Sequence, residues 1–328
     1  MSALSHKPTP IEAMPNFSSW LNGPEVFIKR DDCTGLALGG NKARQLEFYM
    51  GDAISKKADS IIITGAIQSN FVRQAAAAAR KLGMKIHIQL EDRVNKKDKL
   101  YMDSGNILLN KLLGAEIYKL PAGRDESEAD DELDKIADQV RSRGGKPYVI
   151  HLGLNHPPLG ALGYVDAAIE MLSQSERLNL VFDAIVLGSG SAATHSGFLT
   201  GLRYKKSNIP IYGICVRRPS DEQGTRVLQR VRQVEKMLKS KQLVTKADIN
   251  VDDKCLGLGY GVVDNQVRDA LETVARTEGI LLDPVYTAKV MAGLINLTGE
   301  GVFKKGQRIL FLHTGGVPAL FGYANSLI

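Results

Sequence analysis

The chain has 328 residues, 44% of them apolar and 24% charged, with a formal net charge of +6 at pH 7. That length accommodates two domains and a substantial core, and so mild a charge, without interleaved aromatic residues, argues against a nucleic-acid surface. No run approaches the ~18 to 20 consecutive apolar residues of a bilayer span, which argues against a membrane partner.

Taken in chain order, β-branched runs alternate with helical patterns. Strand Val26–Lys29 leads through Arg30-Asp31-Asp32 into a helix over Gly40–Lys56. Strand Ser60–Thr64, helix Ser69–Leu82, strand Lys85–Leu90 and helix Ser104–Leu113 follow. Next come strand Glu116–Lys119, helix Glu126–Arg143, strand Pro147–His151 and helix Leu159–Ser173. Strand Ala184–Leu187, helix Ala193–Tyr204, strand Pro210–Val216 and helix Asp221–Lys241 continue the pattern. Helices Val263–Thr277 and Thr287–Leu297 and strand Arg308–His313 end it. This alternation predicts an α/β protein with two open, mostly parallel twisted sheets flanked by helices. The strands are apolar almost without alternation, as when both faces of a sheet are covered. Breaks near 49–57 and 157–163 bracket four strand–helix units. Residues 51–161 therefore read as a small inserted α/β domain, and 1–50 with 162–328 as a larger one.

The acidic run from Asp125 to Asp134 reads as a solvated surface helix, as does the polar face of the basic stretch Arg217 to Lys241. Cys33, Cys215 and Cys255 are widely spaced, without a CxxC or CxxH pattern, and read as reduced thiols. The stretch from Met1 to Pro15 is polar and proline-rich, with no signal-peptide core. A cytoplasmic address is expected. The histidines show no metal spacing, and no metal is expected.

Three segments carry legible chemistry. Lys42 follows Gly39-Gly40-Asn41, and a lysine behind two glycines has room to approach a planar cofactor closely. Its amine suits Schiff-base chemistry with an aldehyde cofactor. Gln68-Ser69-Asn70 opens a helix after a strand, offering a hydroxyl, an amide and free N–H groups to an anion such as a substrate carboxylate. Ser69 also suits a proton relay. After the run Ala184 to Leu187 comes Gly188-Ser189-Gly190-Ser191-Ala192-Ala193-Thr194, a Gly/Ser turn entering a helix, which suits a phosphate. A lysine, stacking space and a phosphate cradle are the needs of a pyridoxal phosphate (PLP) enzyme. The same turn fits G-x-G-x-x-A, and Arg217-Arg218 ends the next strand, so an NADP-dependent oxidoreductase stays open on these residues. Tyr260, between glycines, and Tyr286, after Pro284, suit active-site phenols, and Thr314 ends the last strand at its carboxyl edge.

As a set in this order, Lys29-Arg-Asp-Asp32, Gly39-Gly-Asn-Lys42, Gln68-Ser-Asn70, Val72-Arg-Gln74, Leu282-Asp-Pro-Val-Tyr286 and His313-Thr-Gly-Gly316 resemble PLP enzymes of fold type II, the tryptophan synthase β superfamily. The resemblance spans roughly Pro8 to Tyr323. It is nearest to the branch with 1-aminocyclopropane-1-carboxylate (ACC) deaminase, D-cysteine desulfhydrase and L-cysteate sulfo-lyase. It implies PLP in the cleft between two domains, a homodimer and a small amino-acid substrate. It also implies that Lys42 holds the cofactor, that Asn70 hydrogen-bonds its phenolate oxygen, and that Ser69 meets the substrate carboxylate. The turn from Gly190 to Thr194 would bind the phosphate, and Tyr260 and Tyr286 would line the substrate side.

ACC deaminases carry glutamate where Thr287 stands and leucine where Thr314 stands, and both threonines resemble the desulfhydrase pattern. Facing the pyridine nitrogen, a threonine hydroxyl cannot support a pyridinium as a carboxylate does. The expected reaction is therefore α,β-elimination from a cysteine-type amino acid to pyruvate, ammonia and sulfide, as in D-cysteine desulfhydrase. Sulfite release from L-cysteate comes second, because His156 in the loop before Pro157 suits a sulfonate and Asp31-Asp32-Cys33 resembles the cysteate lyases. ACC deamination and a non-catalytic PLP carrier stand further off. Phe71 departs from the histidine of desulfhydrase-type relatives.

Overall fold

A computed structural model describes residues 2–120 and 126–327. Among the described residues ten strands form two sheets: β1 (Ile11–Ala13), β2 (Glu25–Arg30), β3 (Ser60–Ala66), β4 (Lys85–Glu91), β5 (Glu116–Leu120), β6 (Pro147–Ile150), β7 (Ala184–Ser189), β8 (Ile211–Cys215), β9 (Asn250–Asp252) and β10 (Arg308–His313). The six-stranded sheet runs β1-β2-β10-β7-β8-β9, and the four-stranded sheet runs β5-β4-β3-β6. Only the β1–β2 pair is antiparallel among these; every other pairing is parallel. The expected α/β class, with two mostly parallel sheets flanked by helices, is the observed one.

The apolar runs are explained by cover on both faces. All seven residues of β3 are buried. In the six-stranded sheet the two-residue strand period sends Val186, Ile309 and Phe311 into one core and Ile185, Leu187, Leu310 and Leu312 into the other. Each such side chain contributes roughly 1.5–3 kcal/mol on burial. The core around β3 and β4 also takes Leu46 and Met50 from helix Lys42–Ser55 and Ala319 and Tyr323 from the C-terminal segment. The helix that begins at Lys42 thus packs against helices Asn70–Lys81 and Leu162–Arg177.

The differences from expectation lie where chain signals are short. Strands β1 and β9 were not expected: each has three residues, too few for an apolar period. The helix expected over Ser104–Leu113 is Asn106–Leu112, and a further short helix, Lys99–Asp103, precedes it, with Gly105 at φ +61° between them. Helix Leu162–Arg177 starts after a 3₁₀ turn, Leu159–Ala161. The acidic run is helical over Glu126–Ser142, and Asp125 lies outside the described residues. No described helix is long and apolar enough to cross a membrane.

Candidate active site

The carboxyl ends of both sheets face one cleft, where open parallel sheets place their ligands. It is lined by Lys42, Ser69, Asn70, Gly190, Ser191, Ala192, Thr194, Tyr260, Tyr286 and Thr314 among the expected residues. Five expected residues are not brought to its wall: Gln68, Ser189, Ala193, Thr287 and His156.

Lys42 opens helix Lys42–Ser55 from a loop of close backbone approaches. Gly39 (φ +66°) and Gly40 (φ +123°) hold it: a Cβ on Gly39 would lie 1.8 Å from the Asp32 carbonyl oxygen, and one on Gly40 would lie 2.6 Å from Gln74 Nε2. The protein's own neighbours therefore demand these glycines. The loop is pinned by the Asn41 N–H donating to the Thr314 carbonyl at 3.0 Å. Two residues into the helix, buried Arg44 donates to both Asp31 and Glu170, and Lys29 completes the cluster through Glu170. This buried ion cluster ties the helix start to β2 and to helix Leu162–Arg177. Lys42 itself meets no carboxylate among the described residues; its amine lies 5.3 Å from the centre of the Phe71 ring. Burial lowers the amine from 10.5 to about 8.

Ser69 caps helix Asn70–Lys81, its Oγ accepting from the Val72 N–H at 3.3 Å, which leaves the hydroxyl hydrogen for the cleft. Opposite, β7 turns into helix Ala193–Tyr204 through Ala192, held at φ +70° without being glycine. A strained turn over free helix N–H groups is an arrangement that suits an anion. Thr194 accepts from Asn41 Nδ2 and Gln45 Nε2, both at 3.0 Å, so the lysine loop and the cradle are tied directly.

Tyr260 and Tyr286 hydrogen-bond to each other through their phenol oxygens, with ring centres 5.9 Å apart. Burial raises both phenols, Tyr286 the more strongly, so both stay protonated at neutral pH. Two phenols sharing one hydrogen bond leave one hydrogen for a ligand.

The residues away from the wall are occupied elsewhere. Gln68, expected at the substrate, spends its amide on the carbonyls of Tyr101 and Ser104 and on the Asn106 N–H. Ser189 lies behind the cradle, hydrogen-bonded with His195 and Gln223. Ala193 turns into the helix and does not line the cleft. Thr287 is fully buried with its hydroxyl on Asp283 at 2.8 Å. Asp283 in turn accepts from the N–H groups of Val285, Tyr286 and Thr287 and has no capacity left for the cleft. Of the two threonines expected at the cofactor nitrogen, only Thr314 reaches the wall. His156, expected to meet a leaving group, stacks on His151 with ring centres 3.9 Å apart, 3.7 Å from Asp130 and 41% exposed. It lines a separate groove beside Tyr49 and Tyr148.

Two arginines also line the cleft: Arg93, just past β4, which was not expected, and Arg217, just past β8, which the sequence offered only to a dinucleotide phosphate. Arg93 forks onto Glu91 at 2.6 and 2.7 Å. Both charges act to lower the Tyr260 phenol against the effect of burial. Their signal was positional, since each sits at the carboxyl end of a parallel strand. No carboxylate is among the described residues of the wall.

Residues 3–315 match the family model described as "Pyridoxal-phosphate dependent enzyme". A solved ACC deaminase homologue is 36% identical, with a TM-score of 0.88 over 99% of this chain and 94% of that one. Escherichia coli diaminopropionate ammonia lyase in its apo form is 16% identical, with a TM-score of 0.67 over 98% of this chain and 86% of that one. A mutant of O-ureido-L-serine synthase with O-ureido-L-serine bound is also 16% identical, with a TM-score of 0.67 over 98% and 92%. The last two share the fold. The match through the glycine turn to this family removes the dinucleotide alternative.

Proposed function

The chain belongs to the pyridoxal-phosphate dependent enzyme family, and from that premise we propose that it is a carbon–sulfur lyase acting by α,β-elimination on a cysteine-type amino acid. The residues fit PLP on three counts: an amine held near neutrality by burial, a strained turn heading a helix as phosphate cradle, and the Thr194 bridge between them. Lys42, Asn70, Thr314 and the turn from Gly190 to Thr194 would hold it. When bound, PLP supplies a conjugated ring that withdraws electrons from the substrate α-carbon.

The chain's own groups divide the remaining work. Lys42 takes the α-proton, for which an amine titrating at about 8 is well placed. Ser69 and the free N–H groups of its helix receive the carboxylate. The spare phenol hydrogen of the Tyr260–Tyr286 pair faces the leaving sulfur. As the β-carbon–sulfur bond breaks, its electron pair departs on sulfur. The resulting enamine takes up one water, and the products are pyruvate, ammonia and sulfide.

The observation that carries this reading is the absence of a carboxylate among the described residues of the wall, with Thr314 there instead. Without a carboxylate to support a pyridinium the ring is a weaker electron sink, sufficient when sulfur leaves. Opening a cyclopropane has no comparable leaving group, which sets this chain apart from the ACC chemistry suggested by its relative's description. A second reading, sulfite release from L-cysteate, is favoured by Arg93 and Arg217, whose charges suit a β-sulfonate better than a thiol. The division into 1–50 with 162–328 and 51–161, a homodimer and a cytoplasmic address belong to the same proposal.

The test is a turnover panel of D-cysteine, L-cysteine, L-cysteate and ACC, with pyruvate and 2-oxobutyrate quantified. Pyruvate from a sulfur substrate is expected, with Lys42→Ala abolishing it. Preference for ACC, with 2-oxobutyrate as main product, overturns the reading.

A further inference from the structure

Asn70 does not stand alone at the start of its helix. Its Oδ1 accepts from Arg73 Nη1 at 3.0 Å and from Asn106 Nδ2 at 3.0 Å. The same Arg73 Nη1 donates to Asn106 Oδ1 at 2.8 Å, and Asn106 Nδ2 also donates to the Gln68 carbonyl at 2.9 Å. A guanidinium has donors and no acceptor, so the amide atoms facing Arg73 must both be oxygens. That fixes the orientation of both amides without any ligand. Asn70 lines the cleft, and its Nδ2 takes no part in these contacts; it lies near Gly316, where a Cβ would approach it to 3.0 Å.

Arg73 reaches a second element as well. Its Nη2 donates at 2.8 Å to the carbonyl of Gly39, three residues before Lys42. Arg73 and Asn106 are fully buried, on segments separated by β4. Burial lowers the guanidinium to about 10, with Asp283 opposing the shift, so it keeps its charge at neutral pH.

We propose that Arg73 and Asn106 are positioning residues that lock the Asn70 side chain with its amide nitrogen toward the cleft, so that it offers hydrogen-bond donors only, to an anionic oxygen on the ring of the bound cofactor. The proposal rests on the reading of Asn70 as facing the cofactor. A free asparagine amide presents its oxygen or its nitrogen at little difference in energy, and an oxygen there would repel an anion. The clamp removes that choice, and one guanidinium sets both the Asn70 amide and the loop that delivers Lys42.

A donor held on an anionic oxygen favours its deprotonated state, so loosening the donor raises the proton affinity of the cofactor joined to Lys42. In the holoenzyme this is read as the pH midpoint at which the visible absorption band titrates. Arg73→Lys and Asn106→Leu should each raise that midpoint by roughly one to two pH units, the scale of one hydrogen bond to a charged group. Asn70→Ala should do the same, and Arg73→Lys should also speed loss of cofactor on dialysis. If Arg73→Lys fails to fold, Asn106→Leu decides. A midpoint that moves with Asn70→Ala but stays within ~0.2 unit of the parent in the folded clamp variants overturns the proposal. A midpoint unmoved by Asn70→Ala overturns the premise about Asn70, and the proposal with it.

Discussion

If burial sets the Lys42 amine, its reactivity toward an aldehyde should carry a distinctive pH signature before any substrate is present. The fall from 10.5 to about 8 corresponds to roughly 3 kcal/mol against the charged form. At pH 7 about one amine in ten is then neutral, against roughly one in three thousand for a lysine in water, a gain of about 300-fold in nucleophile. The assay strips the cofactor with hydroxylamine and follows the second-order rate of PLP capture by stopped-flow absorbance between pH 6 and 11. Each rate is divided by that of Nα-acetyl-lysine at the same pH, which cancels the titrations of PLP itself. The normalised rate should be constant below a bend near 8, fall about tenfold per pH unit above it, and level off near 10.5. A normalised rate with no bend across this range refutes the reasoning, because the amine would then titrate as if in water.

The same burial has a stability consequence. Lys42→Met should stabilise the cofactor-free protein by up to about 3 kcal/mol near neutrality. Because the folded pKa lies below the unfolded one, the penalty is complete below about 8 and vanishes as the pH rises to 10.5, so the gain seen in urea melts should shrink over that window. For Glu170, burial raises the carboxyl, but hydrogen bonds and charge from Arg44 and Lys29 outweigh it and bring it from 4.5 to about 2. Glu170→Gln should cost roughly 3 kcal/mol at pH 7 by stranding buried cations. The contribution of Glu170 is fully present above 4.5 and lost as the pH falls toward 2, so thermal melts of parent and variant should converge in acid. Gly163→Ala would put a Cβ 2.2 Å from the Arg44 carbonyl oxygen. The shift it forces on helix Lys42–Ser55 should cost roughly 1–3 kcal/mol in urea denaturation, with faster cofactor loss on dialysis.

Much of this protein was legible along the chain because its signals are local. Strands covered on both faces need continuous apolar runs, and those runs located the two parallel sheets. Lysine behind two glycines, a serine cap before an asparagine, and a glycine turn into a helix are contiguous motifs, and Lys42, Ser69, Asn70 and the turn from Gly190 to Thr194 could be singled out for that reason. The rest depended on which segments meet. Arg93 and Arg217 line one wall because β4 and β8 end at the same cleft, although 124 positions separate them. Thr287 and Thr314 look equivalent in the sequence, yet the Asp283 carboxylate holds one inside and leaves the other at the wall. Gln68 lies beside two cleft residues, but an amide has few hydrogen-bonding positions, and the carbonyls of Tyr101 and Ser104 had already taken its donors. His156 carries suitable chemistry on a segment that the fold turns toward another groove, where His151 stacks on it. The local sequence determined which chemical groups this protein carries and on what elements; the tertiary contacts decided which of them face a ligand, because a side chain committed to a buried partner is no longer available to anything else.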